Sequence, residues 1–221
     1  MINKIHKPLF FCLILFSLSI KAQISWVYDI ETATSLALQQ NKFIIVDFWA
    51  DWCAPCHQMK KELWDTKQFK PYADKFIFVS INDKFKNQYT FKNKIYVDVY
   101  PTVIMMDVFH NPLWIKKGFR SSVSYLKTFE NLPEDASGIN KIYINKLSDT
   151  FSSNRIESLM LGKAYQQIAE GIKSHYIKKS ILNASDSSFR QVTKIKVKDS
   201  IFEEAMKGKS RNKIVLKSKI K

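Results

Sequence analysis

The sequence predicts an α/β arrangement up to about residue 132 and a mostly α-helical extension after it. Three observations predict this. Short apolar runs alternate with stretches of helical periodicity, the pattern of strands exchanging with helices. The run from Phe43 through Trp49 is apolar on both faces, as a strand at the centre of a sheet must be. Beyond residue 133 only helical spacing recurs. Hydrophobic residues make up 46% of the 221-residue chain, which supplies a sizeable core, and scarce Gly and Pro argue against low-complexity disorder.

Taken in order, residues 1–22 read as a secretory signal peptide. Lys4 and Lys7 form its positive start, 8–20 its apolar stretch, too short for a comfortable membrane span, and Ala22 its last residue. The mature chain then begins at Gln23. Lys21 is unusual so near a cut and keeps a retained anchor as the alternative. Cys12 is a residue of the apolar stretch, not of a lipoprotein box. Residues 24–28 form a short first strand. Ile30, Ala33, Leu36 and Ala37 recur at helical spacing over 30–40. The central strand follows, then a helix over 54–63. Pro71 limits 68–73 to a short helical turn. Residues 76–81 form a second central strand, 84–94 a surface helix or loop, 103–106 and 113–117 two further strands, and 121–132 a helix with Val123, Leu126 and Phe129 on one face.

From 133 to 221 the pattern changes. Residues 134–140 read as a linker, 156–172 as a helix, 174–183 as another and 199–206 as a short one. The basic and apolar end, 207–221, reads as a frayed tail. Leu161, Gly162 and Tyr165 echo one fragment of a tetratricopeptide repeat, but a single match is not a repeat array.

The formal charge is +15. The basic residues are spread out and no nucleic-acid motif accompanies them, so they read as a lysine-rich surface, and nucleic acid is not an expected partner. Of three cysteines, Cys12 lies in the leader. That leaves Cys53 and Cys56, a local pair and not a framework stapling distant loops.

The chemistry concentrates where the central strand turns into the next helix. Cys53 falls at the helix N-terminus, where unpaired N–H groups and the helix dipole favour a thiolate. Pro55 occupies a first-turn position, where its missing N–H costs nothing. Cys56, one turn inward, is sheltered and able to close a disulfide with Cys53. The stretch VDFWADWCAPC, residues 46–56, resembles the active-site segment of the thioredoxin superfamily: beyond the cysteines it matches Asp47, Phe48, Trp49, Trp52 and Pro55. Tyr100, Pro101 and Thr102 resemble the family's cis-proline segment, and Gly118 a glycine near its active-site surface.

The resemblance covers about half the chain and implies a thioredoxin fold, a central mixed sheet flanked by helices, over 23–132. It also implies roles. Cys53 attacks a partner disulfide and Cys56 resolves the mixed disulfide. Asp47, buried and raised in pKa by desolvation, assists the proton transfer of Cys56. Trp52, Tyr100, Pro101 and Gly118 contact the substrate, and Pro101 is cis. The lysine that some thioredoxins place near this acid is not evident, since 78–80 occupy its region. The branch most resembled is that of the bacterial envelope proteins, including the C-terminal domain of the membrane disulfide reductase.

The expected function is therefore a thiol–disulfide oxidoreductase of the cell envelope, periplasmic in a Gram-negative host, a reductase or isomerase rather than an oxidase by the residues between its cysteines. Its substrates are protein thiols and disulfides, its electrons come from a membrane partner through transient contact, and it needs no cofactor. The alternative is a non-catalytic binding module whose C-terminal half binds a partner. Cys53 through His57 also spell the C-x-x-C-H motif of c-type haem attachment, against which stand the strand-to-helix context and Asp47. No second ligand pair completes a zinc site. A chain cut at Leu132 is expected to fold and keep its dithiol chemistry.

Overall fold

Five strands form one sheet in the order β1-β3-β2-β4-β5. The computed structural model describes residues 24–85, 95–148, 154–194 and 199–217. The leader and most of the 84–94 segment lie outside the described residues. β1 is Trp26–Val27, β2 Ile44–Trp49, β3 Ile77–Asn82, β4 Thr102–Met106 and β5 Pro112–Lys117. β1 and β2 run parallel to β3, while β4 pairs antiparallel with both β2 and β5. β2 lies at the centre, and Ile44–Phe48 are all buried, as its two-faced apolar run requires.

Helices cover both faces. α1 (Ile30–Gln40) begins where Asp29 accepts the Thr32 N–H at 2.7 Å, and it ends at Asn41 in the left-handed conformation (φ 53°), which turns the chain into β2. α2 (Ala54–Met59) continues into a π-helical turn (Lys60–Trp64), and α3 (Lys70–Ala73) is one short turn. α4 (Ser122–Phe129) is capped by the Ser121 hydroxyl. Beneath the π turn, α3 and α4 lies an aromatic cluster. The Trp64 ring meets Phe69 edge-on at 4.8 Å and Phe129 at 5.9 Å, and Phe69 meets Phe129 at 4.9 Å. Such edge-to-face packing fixes ring orientation as well as burying area, and it aims the Trp64 indole at the central strand.

The C-terminal part contains α5 (Ser137–Leu147), α6 (Asn154–Glu170), α7 (His175–Thr193) and α8 (Ser200–Lys217). It shares the apolar core of the sheet: Ile139, Leu161, Tyr165, Ile177 and Ile181 belong to the same buried cluster as β2 and β4. The linker reading of 134–140 is corrected. Asp135 bridges to Lys42, the Ala136 N–H donates to the Asn41 carbonyl at 2.9 Å, and the Asn140 amide donates to the Ala37 carbonyl at 2.8 Å. A polar stretch that resembled a linker thus docks on the end of α1 through hydrogen bonds to its carbonyls.

The frayed-tail reading is corrected as well, since α8 runs to Lys217. Gly208, within that stretch, lets Phe189 of α7 approach: a Cβ there would lie 2.4 Å from the ring, and one at Gly162 of α6 would lie 2.3 Å from it. The glycine of the repeat-like fragment therefore serves a three-helix crossing. Buried Asn212 donates to Ser185 (3.1 Å) and Asp186 (2.7 Å) and accepts from Gln166 (2.6 Å). α7 packs against β5, where the Tyr176 hydroxyl donates to the Ile115 carbonyl at 3.2 Å, so the edge strand is covered.

Candidate active site

At the end of β2 the chain makes a tight turn, with the Cys53 N–H donating to the Ala50 carbonyl at 3.1 Å. Cys53 is the N-cap of α2, in extended conformation (φ −87°, ψ 94°), and its sulfur accepts the Cys56 N–H at 3.1 Å. Pro55 occupies the first turn, as its fixed φ favours. Cys53 and Cys56 are joined in a disulfide with their Cα atoms 5.3 Å apart. Their residual exposures are only 3% and 5%, so the pair presents little of itself to solvent. Tyr100 and Trp49 pack against it.

The Tyr100–Pro101 peptide is cis. The Tyr100 ring meets that of Trp52 edge-on at 5.6 Å, and its hydroxyl donates to Asp83. Trp52 is 71% exposed, so it offers contact surface, whereas Trp49 is half-buried with its indole N–H on the Ser80 hydroxyl at 2.9 Å. Gly118 (φ 74°) donates its N–H to the Pro101 carbonyl at 2.7 Å and accepts the Tyr125 hydroxyl at 2.9 Å. Contacts thus link Trp52 to Tyr100, Tyr100 to the disulfide and Gly118 to Pro101, while Pro101 itself is buried.

Asp47 lies inside, six residues before Cys53 on β2. Its Oδ2 accepts the Trp64 indole N–H at 3.0 Å, which places the carboxylate on the sheet face covered by α2 and the π turn. Its Oδ1 has no hydrogen-bond partner among the described residues. Burial pushes the carboxyl up from 3.8 to about 7, against the smaller opposing pull of Trp64. Ser80, not a lysine, stands beside Asp47 in the sheet register, and Val103 flanks it on the other side. Lys116, next in that cross-sheet row, holds its ammonium 4.2 Å above the Tyr125 ring, and burial lowers its pKa. Burial, and then the nearby Asp47 charge, raise the Tyr125 hydroxyl well above its ordinary value, so it remains a donor to Gly118.

Trp64 and Tyr125 were not singled out from the sequence. A signal existed for Trp64, because a tryptophan inside an apolar helical face needs an acceptor for its N–H, and Asp47 is a buried acid able to accept it. His57 is exposed, with Nε2 2.8 Å from the Asp51 carbonyl. No group of three His, Cys, Asp or Glu side chains among the described residues is arranged to hold a metal ion.

Residues 25–108 match the model of a thioredoxin-like family. No curated protein matches the chain. Among solved structures it is similar to a thioredoxin from Thermus thermophilus (16% identity, TM-score 0.41, covering 49% of this chain and 85% of that one). It is similar also to the oxidised C-terminal domain of DsbD from Neisseria meningitidis (18%, 0.39, 48% and 97%) and to mitochondrial thioredoxin 3 from Saccharomyces cerevisiae (22%, 0.38, 49% and 95%). Each likeness spans about half of this chain. With the strand order, the cis-proline and the disulfide at the start of α2, the match over 25–108 makes that part of the chain thioredoxin-like, carrying a redox-type CxxC pair.

Proposed function

We propose that the chain is a thiol–disulfide oxidoreductase of the bacterial cell envelope, acting on protein disulfides as a reductase or isomerase. The observation that carries this reading is the Cys53–Cys56 disulfide at the N-terminus of α2, bordered by Tyr100 and cis-Pro101. In the reducing direction the Cys53 thiolate attacks one sulfur of a substrate disulfide and expels the other as a thiolate. Cys56 then attacks the Cys53 sulfur, releasing the second substrate thiol and closing the pair. Two electrons and two protons pass from the dithiol to the substrate, and the same steps reversed oxidise a dithiol. Asp47, titrating near 7, is suited to take the Cys56 proton and return it.

The compartment rests on residues 1–22, and the direction on Ala54 and Pro55, which are closer to the Gly-Pro of reducing thioredoxins than to the Pro-His of the strong oxidant. Electrons outside the cytoplasm then come from a membrane partner through transient contact. The deciding experiment is the reduction potential of the pair against glutathione or dithiothreitol buffers. A value near −270 mV is expected, and one near −120 mV reverses the direction. Absence of any reversible couple returns the protein to the binding-module reading. Fractionation of a bacterial host tests the compartment.

A further inference from the structure

Among the described residues one side chain donates a hydrogen bond to Asp47, the indole of Trp64 at 3.0 Å. Trp64 is 5% exposed, and five rings meet it edge-on: Phe69 at 4.8 Å, Trp26 at 5.7 Å, Phe129 at 5.9 Å, Phe78 at 6.0 Å and Tyr125 at 6.4 Å. It closes the π-helical turn Lys60–Trp64, a form of helix that recurs mostly at functional sites. A ring gripped on so many edges has little rotamer freedom, so its N–H is aimed at the carboxyl before any proton moves.

An indole N–H donates and cannot accept, so it favours the carboxylate over the neutral acid. Burial favours the neutral acid and is the larger influence, with Trp64 opposing it. The other titratable groups on this face of the sheet are engaged elsewhere. The Tyr125 hydroxyl of α4 donates to Gly118, Lys116 of β5 donates to Ser124 above the Tyr125 ring, and the two cysteines of α2 are joined to each other. Without the indole N–H the buried acid keeps its proton through neutral pH and has no place for another.

We infer that Trp64 is a positioning residue of the resolving step, its indole N–H holding Asp47 as the carboxylate that takes the Cys56 proton. This deepens the oxidoreductase reading and rests on it. In that step the proton leaves the Cys56 sulfur for Asp47, and the Cys56 thiolate attacks the Cys53 sulfur. The bond from Cys53 to the substrate sulfur breaks, the substrate departs as a thiolate, and Asp47 later releases the proton to water. Trp64 touches neither substrate nor sulfur and acts only through Asp47.

The test mixes the reduced chain with the disulfide of thionitrobenzoate and follows thionitrobenzoate release over a range of pH. Cys53 releases the first equivalent on forming the mixed disulfide, and Cys56 releases the second on resolving it. Trp64→Phe keeps a ring in the cluster and removes the N–H. The first phase should be unchanged. The midpoint of the second should rise by about one to two pH units, with a loss of about tenfold near neutral pH that is regained in alkali, the scale of one hydrogen bond to a charged group. In an Asp47→Asn background, Trp64→Phe should no longer move the profile. An unmoved midpoint, an equal loss at every pH, or a shift that persists in the Asp47→Asn background overturns the assignment while the oxidoreductase reading stands. The wild-type chain supplies a second measurement that needs no variant to fold: the Trp64 indole N–H resonance should titrate with the midpoint of the second phase, and a resonance indifferent to pH overturns the assignment. A chain that releases no thionitrobenzoate overturns both readings.

Discussion

The sheet holds two buried aspartates in opposite circumstances. Asp47, in the middle of β2, receives one hydrogen bond and leaves Oδ1 without a partner. Asp107, just past β4, receives backbone N–H groups from Phe109 and Asn111, both at 2.9 Å, the Asn111 amide at 3.3 Å and the Tyr165 hydroxyl. Burial raises both carboxyls, but at Asp107 every other influence is a donor that pulls the pKa back down. A buried acid provided with donors is architecture: Asp107 ties the end of the sheet to α6. A buried acid left short of them is poised to exchange a proton, and it lies on the side of the sheet where the disulfide helix packs. The proposed chemistry and the cohesion of the fold thus fall on different aspartates.

Four changes break or sharpen this contrast. Cys53→Ser should abolish exchange with insulin disulfides while leaving the far-UV circular dichroism intact. Retained insulin reduction would remove the chemical half of the contrast.

Cutting the chain at Leu132 should destabilise it by more than any point change. It removes Tyr165 from Asp107, Asn140 from the end of α1 and α7 from the β5 edge. Against the expectation from sequence alone, residues 23–132 should show a broad, low thermal transition or aggregate. A cooperative unfolding curve near that of the whole chain would show the helical part to be dispensable.

Asp47→Asn should stabilise the fold at pH 8 by about 4 kcal/mol, from a carboxyl raised from 3.8 to about 7. The sign follows from the raised pKa: the folded state holds the proton more tightly than the unfolded one. The stability this confers is therefore fully present below the unfolded value and is lost as pH rises towards 7. The gain from Asn should vanish near pH 3.5 in urea titrations, and exchange should slow at neutral pH. A gain independent of pH would remove Asp47 from the proton account.

Smallest is Tyr165→Phe, which leaves Asp107 one donor short. A loss of about 1–3 kcal/mol is expected in the denaturation midpoint. The loss shrinks at acidic pH, where a protonated carboxyl needs fewer donors, and insulin reduction is unchanged. A fall in exchange rate equal to that of Asp47→Asn would mean that the two acids are coupled.

Much of the site was legible because its signals are local. Cys53, Pro55 and Cys56 specify a capped helix start within four residues, and Asp47 announces itself as a charge inside an apolar run. The residues that hold the C-terminal part were misread for the complementary reason. Asn140 falls in a stretch that reads as a linker and Gly208 in one that reads as a frayed tail, and only their partners, Ala37 and Phe189, turn them into packing devices.

By itself, then, the sequence determined the strand–turn–helix unit, the reactive pair and the proline segment, since N-capping, helix periodicity and the intolerance of strands for proline act over a few residues. The tertiary structure alone decided which buried polar groups are satisfied. Trp64 reaches Asp47 and Tyr165 reaches Asp107 across 17 and 58 residues of chain. A carboxyl's proton affinity depends on the donors and the water around it, and those are set only when distant segments close over it.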